Sequence, residues 1–254
     1  MRTIKLLLAY DGTDYVGWQR QARGRSIQGE LERALAEIEG RPVAVVGAGR
    51  TDAGVHALGQ VASVQLVGRI ETSVLVRALN AKLPPDIRVL AAETVAADFH
   101  ARYAARRKTY RYHLTNGPLA SPFTLRYAWH VREPLDLFAM REAAGRLPGR
   151  RDFAAFQNVG TEVASTVRTL HSIVVGPGAA PFPAPPAPGS PASVEVAGEG
   201  FLRHMVRIIV GTLVEVGLGR VEASAVTAIL ASRARERAGP TAPARGLFLV
   251  AVDY

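Results

Sequence analysis

Apolar and polar positions alternate and then recur at helical spacing through the first part of the chain. Residues 3–10, TIKLLLAY, predict a strand. Ser26 predicts a helix cap, and Ile27, Leu31, Ala34, Leu35 and Ile38 then fall on one helical face that ends at Gly40. Val43 to Val46 predict a short buried strand, and Val61 to Leu66 another. A second helix is expected with Thr72 as its cap, carrying Leu75, Ala78 and Leu79 and stopping before Pro84-Pro85. Ile87 to Val95 again predict a strand. This order of strands and helices describes an α+β domain over residues 1–103.

The second half, 104–254, repeats the mixture. Strands are expected around Tyr110-Arg111-Tyr112, at Arg126 to Val131, at Val167 to Val175, at Ser193 to Val196 and at Gly246 to Tyr254. Helices are expected from Pro134, with Leu137, Met140, Ala144 and Leu147 on one face, at Leu202 to Val216, and at Glu222 to Leu230. Phe153 and Phe156 read as core. Pro177 to Pro191 holds 7 of the 16 prolines and no charge, so it predicts an extended, mobile connection without a catalytic role. No repeat is visible by residue identity, although the element order in the two halves is similar.

Composition changes the picture in two ways. The chain of 254 residues has no cysteine, which excludes disulfides, thiolate metal sites and cysteine nucleophiles and suggests a cytoplasmic protein. No run approaches the ~20 apolar residues needed to span a bilayer, and the opening MRTIKLLLAYDG reads as a strand rather than a signal peptide. The formal charge is +9 and the isoelectric point about 10.4. All but Lys5, Lys82 and Lys108 of the 31 basic residues are arginine. Arginine forks phosphates and stacks on bases, which suits nucleic acid; a solvated basic surface is the plainer reading.

The candidate chemistry sits after the strand at Val43. Gly47, Gly49 and Gly54 frame Arg50, Thr51, Asp52 and His56. A dinucleotide fingerprint fails because the third glycine position is Asp52, and no phosphate-binding G-x-x-x-x-G-K-[ST] is present. By residue type, Asp52 reads first as a cap or turn residue, then as a nucleophile or acid/base group, and last as a metal ligand. Asp52 and His56 lie four apart, but no third ligand is apparent. Elsewhere, Asp11 to Arg25 carries Trp18 beside Arg20, Arg23 and Arg25, and Trp18 reads equally as core or as an RNA-stacking ring. Phe99 to Arg111 is densely basic and holds no acid; Tyr103 and Tyr110 interleave with its charges, as in single-stranded RNA contacts.

The stretch GAGRTDAGVHALGQVA resembles the signature of the TruA-type tRNA pseudouridine synthases. Tyr10-Asp11-Gly12-Thr13 with Gly17-Trp18-Gln19-Arg20-Gln21 is similar to that family's opening segment. Phe99-His100-Ala101-Arg102 and Lys108-Thr109-Tyr110-Arg111-Tyr112 resemble its central one, and Phe201 to Arg207 and Gly246 to Tyr254 its closing ones. The matches run in order across nearly the whole chain. The resemblance implies two similar α/β halves with mainly antiparallel sheets and an active-site cleft between them. It implies isomerisation of uridine to pseudouridine at positions 38, 39 and 40 of the tRNA anticodon stem-loop, without cofactor or metal, by a homodimer in which one tRNA touches both subunits. Family members that modify other RNA positions keep the target site open.

By the same resemblance Asp52 is the catalytic carboxylate. Arg207 is its guanidinium partner, where the residue alone reads as a surface or capping charge. A neighbouring guanidinium favours the charged form of a carboxylate. Tyr110 is the ring on the target base, Arg50 fills the place of the flipped nucleotide or holds its phosphate, and Leu247 walls the pocket. Trp18, Gln19, Arg20, Arg23, His56, Arg102, Arg106, Arg107 and Lys108 are expected RNA contacts. The base must leave the stack for the enzyme to reach C1′. Attack at C1′, attack at C6 and glycal formation all remain open. Two rivals stand beside this reading: an RNA-binding module without catalysis, and a retaining glycosidase, which needs a second carboxylate about 5 Å from the first. No such mate for Asp52 stands out.

Overall fold

Strand β1, Arg2–Tyr10, buries Ile4, Leu6, Leu8 and Tyr10 on alternate positions, as a strand with one covered face must. The computed structural model describes residues 1–160, 163–178 and 190–254. Helix α1, Ile27–Glu39, starts where Ser26 Oγ accepts the Gly29 N–H at 3.2 Å and ends at Gly40, as the sequence predicts. Short β2, Val45–Gly47, pairs antiparallel with β3, His56–Leu66. Strand β1 lies between β3 and β4, Ile87–Val95, antiparallel to both. Helix α2, Thr72–Lys82, is tied to β4 by Asn80, whose side chain bonds the Val89 carbonyl at 2.8 Å and accepts its N–H at 2.9 Å. The cap position falls on Glu71, whose side chain makes no capping bond, so Thr72 is the first helical residue rather than the cap.

Leu7 is out of phase with Leu6 and Leu8. It packs in a second cluster with Ala48, Val61, Phe99, Ala101, Val252 and Tyr254. The last two belong to β10, Leu247–Asp253 and the residue after it, which returns to lie parallel to β3 with Phe248 opposite His56. Contacts accordingly divide the chain into one unit of Met1–Arg106 with Phe248–Tyr254 and another of Arg107–Leu247. The expected division at 103/104 thus moves by three residues, and the closing strand joins the first unit.

In the second unit, β5 (Arg107–Asn116) pairs antiparallel with β9 (Ser190–Gly198), β9 with β8 (Val167–Pro177), and β8 with β7 (Gly149–Asp152). The short β6, Trp129–Val131, runs parallel to β5. The β8 and β9 strands run past their expected ends, because Pro177 still pairs with Ala192 and Pro191 with Thr115 of β5. The expected mobile connection otherwise falls on 179–189, outside the described residues. Helix α3, Leu137–Ala144, is capped by Asp136 and begins three residues after Pro134. Helix α4, Met205–Gly217, is buried over most of its length, and α5, Ala225–Ser232, follows. The expected start of α4 at Leu202 is displaced because His204 adopts a left-handed backbone, φ 60°. Arg203 therefore precedes the helix and shares no helical face with Arg207. Phe153 and Phe156 are fully buried and meet edge to face at 6.1 Å.

One carboxylate ties three elements of this unit together. Asp152 Oδ1 accepts from Thr166 Oγ1 at 2.5 Å and from the Ala154 N–H at 3.1 Å, and Oδ2 meets Arg233 Nε at 2.9 Å. The Thr166 bond, with smaller help from Ala154 and Arg233, holds the carboxyl below its ordinary value of 3.8. A depressed carboxylate contributes stability above its unfolded pKa and loses it as pH falls through the lower native value. Asp152→Asn is therefore expected to cost about 1–2 kcal/mol near neutral pH. In urea unfolding, the gap to wild type should close as pH is lowered from about 5 toward 2. A gap that stays constant over that range would show that the charge contributes nothing.

Candidate active site

The loop between β2 and β3 is fastened at nearly every residue. Ala48 is buried and its N–H donates to the Val61 carbonyl at 2.8 Å. The Gly49 carbonyl accepts from Gln60 Nε2 at 2.9 Å. The same amide lies 3.3 Å from the Tyr10 hydroxyl, which pairs at 2.8 Å with Thr51 Oγ1. Tyr10, Thr51 and Gln60 are all buried, so these bonds are made away from water, where an unmade one is costly. Burial pushes the Tyr10 phenol up to about 12, so it stays neutral and serves as a fixed strut.

The other side of the loop is gripped by the polar segment after β1. The Trp18 N–H donates to the Thr51 carbonyl at 3.0 Å. Gly17, immediately before it, holds φ +107°, and a Cβ there would lie 2.6 Å from the same carbonyl oxygen. Only glycine combines that conformation with that approach. The Val55 N–H closes a turn onto the Asp52 carbonyl at 3.1 Å. Thr51 thus points inward, while Asp52 is half-buried and Arg50 exposed. The backbone that carries this carboxylate is constrained, and the residue stays partly exposed.

Two residues expected to touch RNA lie inside this framework instead. Trp18 is 2% exposed; its indole lies over Gly47 and tilts against Tyr10 at 6.2 Å. In this structure the Trp18 ring packs as core. His56 opens β3, 1% exposed, with its ring stacked on Phe248 at 4.5 Å. Its Nδ1 lies 3.1 Å from both the Gly12 N–H and Asp11 Oδ1. An unprotonated Nδ1 accepts from Gly12, and a protonated one serves Asp11, so the ring's proton decides which neighbour it holds. Gln19 is tied to Gln28 Oε1 at 2.9 Å, and Arg20 reaches Glu32 at 3.5 Å. Arg20, Arg23, Arg102 and Arg106 are exposed on the first unit, and Arg107 on the second, beside half-buried Lys108.

Of the remaining expected site residues, Arg50 and Asp52 belong to the first unit and Tyr110, Arg207 and Leu247 to the second. Tyr110 is buried on β5 and meets the edge of Phe201 at 5.1 Å. Arg207, in the first turn of α4, donates from Nε to the Ala242 carbonyl at 2.8 Å and accepts the Ala242 N–H on its own carbonyl at 3.1 Å. Leu247 is buried at the start of β10. Sequence reasoning missed the bracing roles of Tyr10, Thr51 and Gln60. The signal for Gln60 was a polar side chain in the middle of an apolar strand. Among the described residues, no group of three or more His, Cys, Asp or Glu is placed to hold a metal ion, and no helix is long and apolar enough to cross a membrane.

A family model of tRNA pseudouridine synthases matches residues 7–104 and 143–254. Over 256 aligned residues the chain is 48% identical to tRNA pseudouridine synthase A of Moorella thermoacetica, covering all of both chains. It is 46% identical to the protein of the same name from Syntrophotalea carbinolica, covering all of this chain and 97% of that one. The Geobacter sulfurreducens protein of that name is 45% identical, with full coverage of both. These matches include the Asp52 loop and every element that braces it. The chain therefore belongs to the tRNA pseudouridine synthase family, a family of isomerases.

Proposed function

We propose that this chain converts uridine to pseudouridine at positions 38, 39 and 40 of the tRNA anticodon stem-loop, with Asp52 as the reacting carboxylate and no cofactor. The observation that carries this is the setting of Asp52: half-buried, on a loop in which the preceding Thr51 and Gly49 are held by Tyr10 and Gln60 and the Val55 N–H closes a turn onto the Asp52 carbonyl. Pseudouridylation breaks the N1–C1′ bond, turns the uracil and forms a C5–C1′ bond, with the C5 proton lost to water and N1 taking one up. Nothing is added, so the protein supplies position and charge. Asp52 acts by attack at C1′, by attack at C6, or by taking a sugar proton to give a glycal. Tyr110 stacks on the uracil, Leu247 walls the pocket, Arg207 balances the carboxylate charge and Arg50 takes the flipped nucleotide's place or its phosphate. The exposed arginines bind the tRNA backbone through phosphate contacts. The working form is a cytoplasmic homodimer in which one tRNA touches both subunits.

Tritium release from tRNA transcripts labelled at C5 of uridine tests the reading. Release is expected from transcripts with uridine at 38, 39 or 40, and none from transcripts with cytidine at all three. Equal release from both moves the target elsewhere in the RNA. Binding without release from either leaves an RNA-binding module.

A further inference from the structure

We propose that the turn at residues 100–104 is a stacking platform for an unpaired RNA base, with Tyr103 as the surface on which the base lies. The proposal rests on the reading above only in taking RNA as the partner. Tyr103 is 77% exposed, whereas Tyr10, Tyr15, Tyr110 and Tyr112 are buried.

The ring is exposed yet fixed. It stacks on His100 at 4.3 Å with 24° between the planes. His100 is itself fastened: its Nδ1 accepts the N–H groups of Arg102 and Tyr103, both at 3.2 Å, which places any proton of the neutral ring on Nε2. The Ala104 N–H closes the turn onto the His100 carbonyl at 3.0 Å. The Arg102 guanidinium lies 5.6 Å from the Tyr103 ring centre. Because the turn orders these rings in advance, a base joining the stack need not order them itself.

The surroundings select nucleic acid. Exposed Arg102 and Arg106 flank Tyr103 in the chain on the same unit. Arginine answers the phosphates, and the ring answers a π-face that every base has, so the platform takes an unpaired base without reading its identity. An acidic protein surface would use the arginines and leave the ring idle.

The test is tRNA affinity of the full chain at fixed salt, for wild type, Tyr103→Leu and Tyr103→Phe. Tyr103→Leu is expected to weaken binding by about 5- to 100-fold. Tyr103→Phe should stay within about twofold, because it keeps the π-face. The slope of affinity against salt is expected to be unchanged in both, since no charge is removed. Melting temperatures should match wild type, as an exposed side chain supports little packing. Wild-type affinity in Tyr103→Leu overturns the platform, and so does an equal loss in Tyr103→Phe. The readout does not depend on turnover. A loss of affinity in Tyr103→Leu, with no tritium release by wild type, keeps the platform and removes the reaction. Unchanged affinity with normal release does the reverse.

Discussion

Asp52→Asn is expected to lower pseudouridine formation by a factor on the order of 10³ or more, while tRNA affinity stays within a few-fold of wild type. The amide keeps the shape of the carboxylate but is neither a nucleophile nor a base. The backbone around it is held by other groups: Thr51 by Tyr10, Gly49 by Gln60, Ala48 by Val61. Most of the proposed phosphate contacts, which are expected to dominate binding, involve arginines outside this loop. Tritium release and filter binding on the same preparation separate the two quantities. If activity and affinity fall together, with a lower melting temperature, Asp52 is a structural residue of the loop and the chemical assignment is wrong.

Gly17→Ala is expected to damage the same site from a distance. The new methyl group would press on the Thr51 carbonyl from 2.6 Å, in a backbone conformation that L-residues rarely adopt. The Trp18 N–H bond to that carbonyl prevents the two segments from parting without a further loss. Strain plus the broken contact should cost about 2 kcal/mol or more, or roughly 5 °C in melting temperature. The loop carrying Asp52 must then shift, and turnover should fall by at least about tenfold, since small misplacements of a reacting group are costly. Gly219→Ala is the control. Gly219 also has positive φ, +70°, but a Cβ there meets nothing within 4 Å. It should lose about 1 kcal/mol and keep normal turnover. Equal loss of turnover in both variants would mean that global stability, not the grip on Thr51, sets activity.

What could be read in advance follows from how local each cause is. Helix α1 was legible end to end, because Ser26, the apolar stripe and Gly40 act within one segment. Strand β2 was overextended in the sequence reading. Val43 is buried, but pairing with β3 covers only Val45–Gly47, and a partner strand is not visible locally. The sequence pattern places the start of β3 at Val61, because His56, Gly59 and Gln60 interrupt its apolar run, whereas the strand begins at His56. One of those interruptions, Gln60, fastens the loop through the Gly49 carbonyl. The left-handed turn at His204 had only the weak signal of histidine's enrichment in that conformation. Asp52 stood out through its motif, whereas Trp18 and His56 had two readings each until burial was known. Tyr103 and Tyr110 look alike in the sequence, and only the fold leaves one exposed and covers the other.

The return of β10 to the first unit has a bearing on biosynthesis. A ribosome makes Arg107 to Leu247 before it delivers the strand that lies beside β3. Domains generally fold N-terminal first as the chain emerges, but this one cannot finish that way. Until Phe248 arrives, His56 lacks the ring it stacks on, and until Tyr254 arrives, the Ala101 carbonyl lacks the hydroxyl that donates to it at 2.8 Å. The braces of the Asp52 loop are made early, whereas the His56–Phe248 stack forms only after the whole of Arg107 to Leu247 has been synthesised.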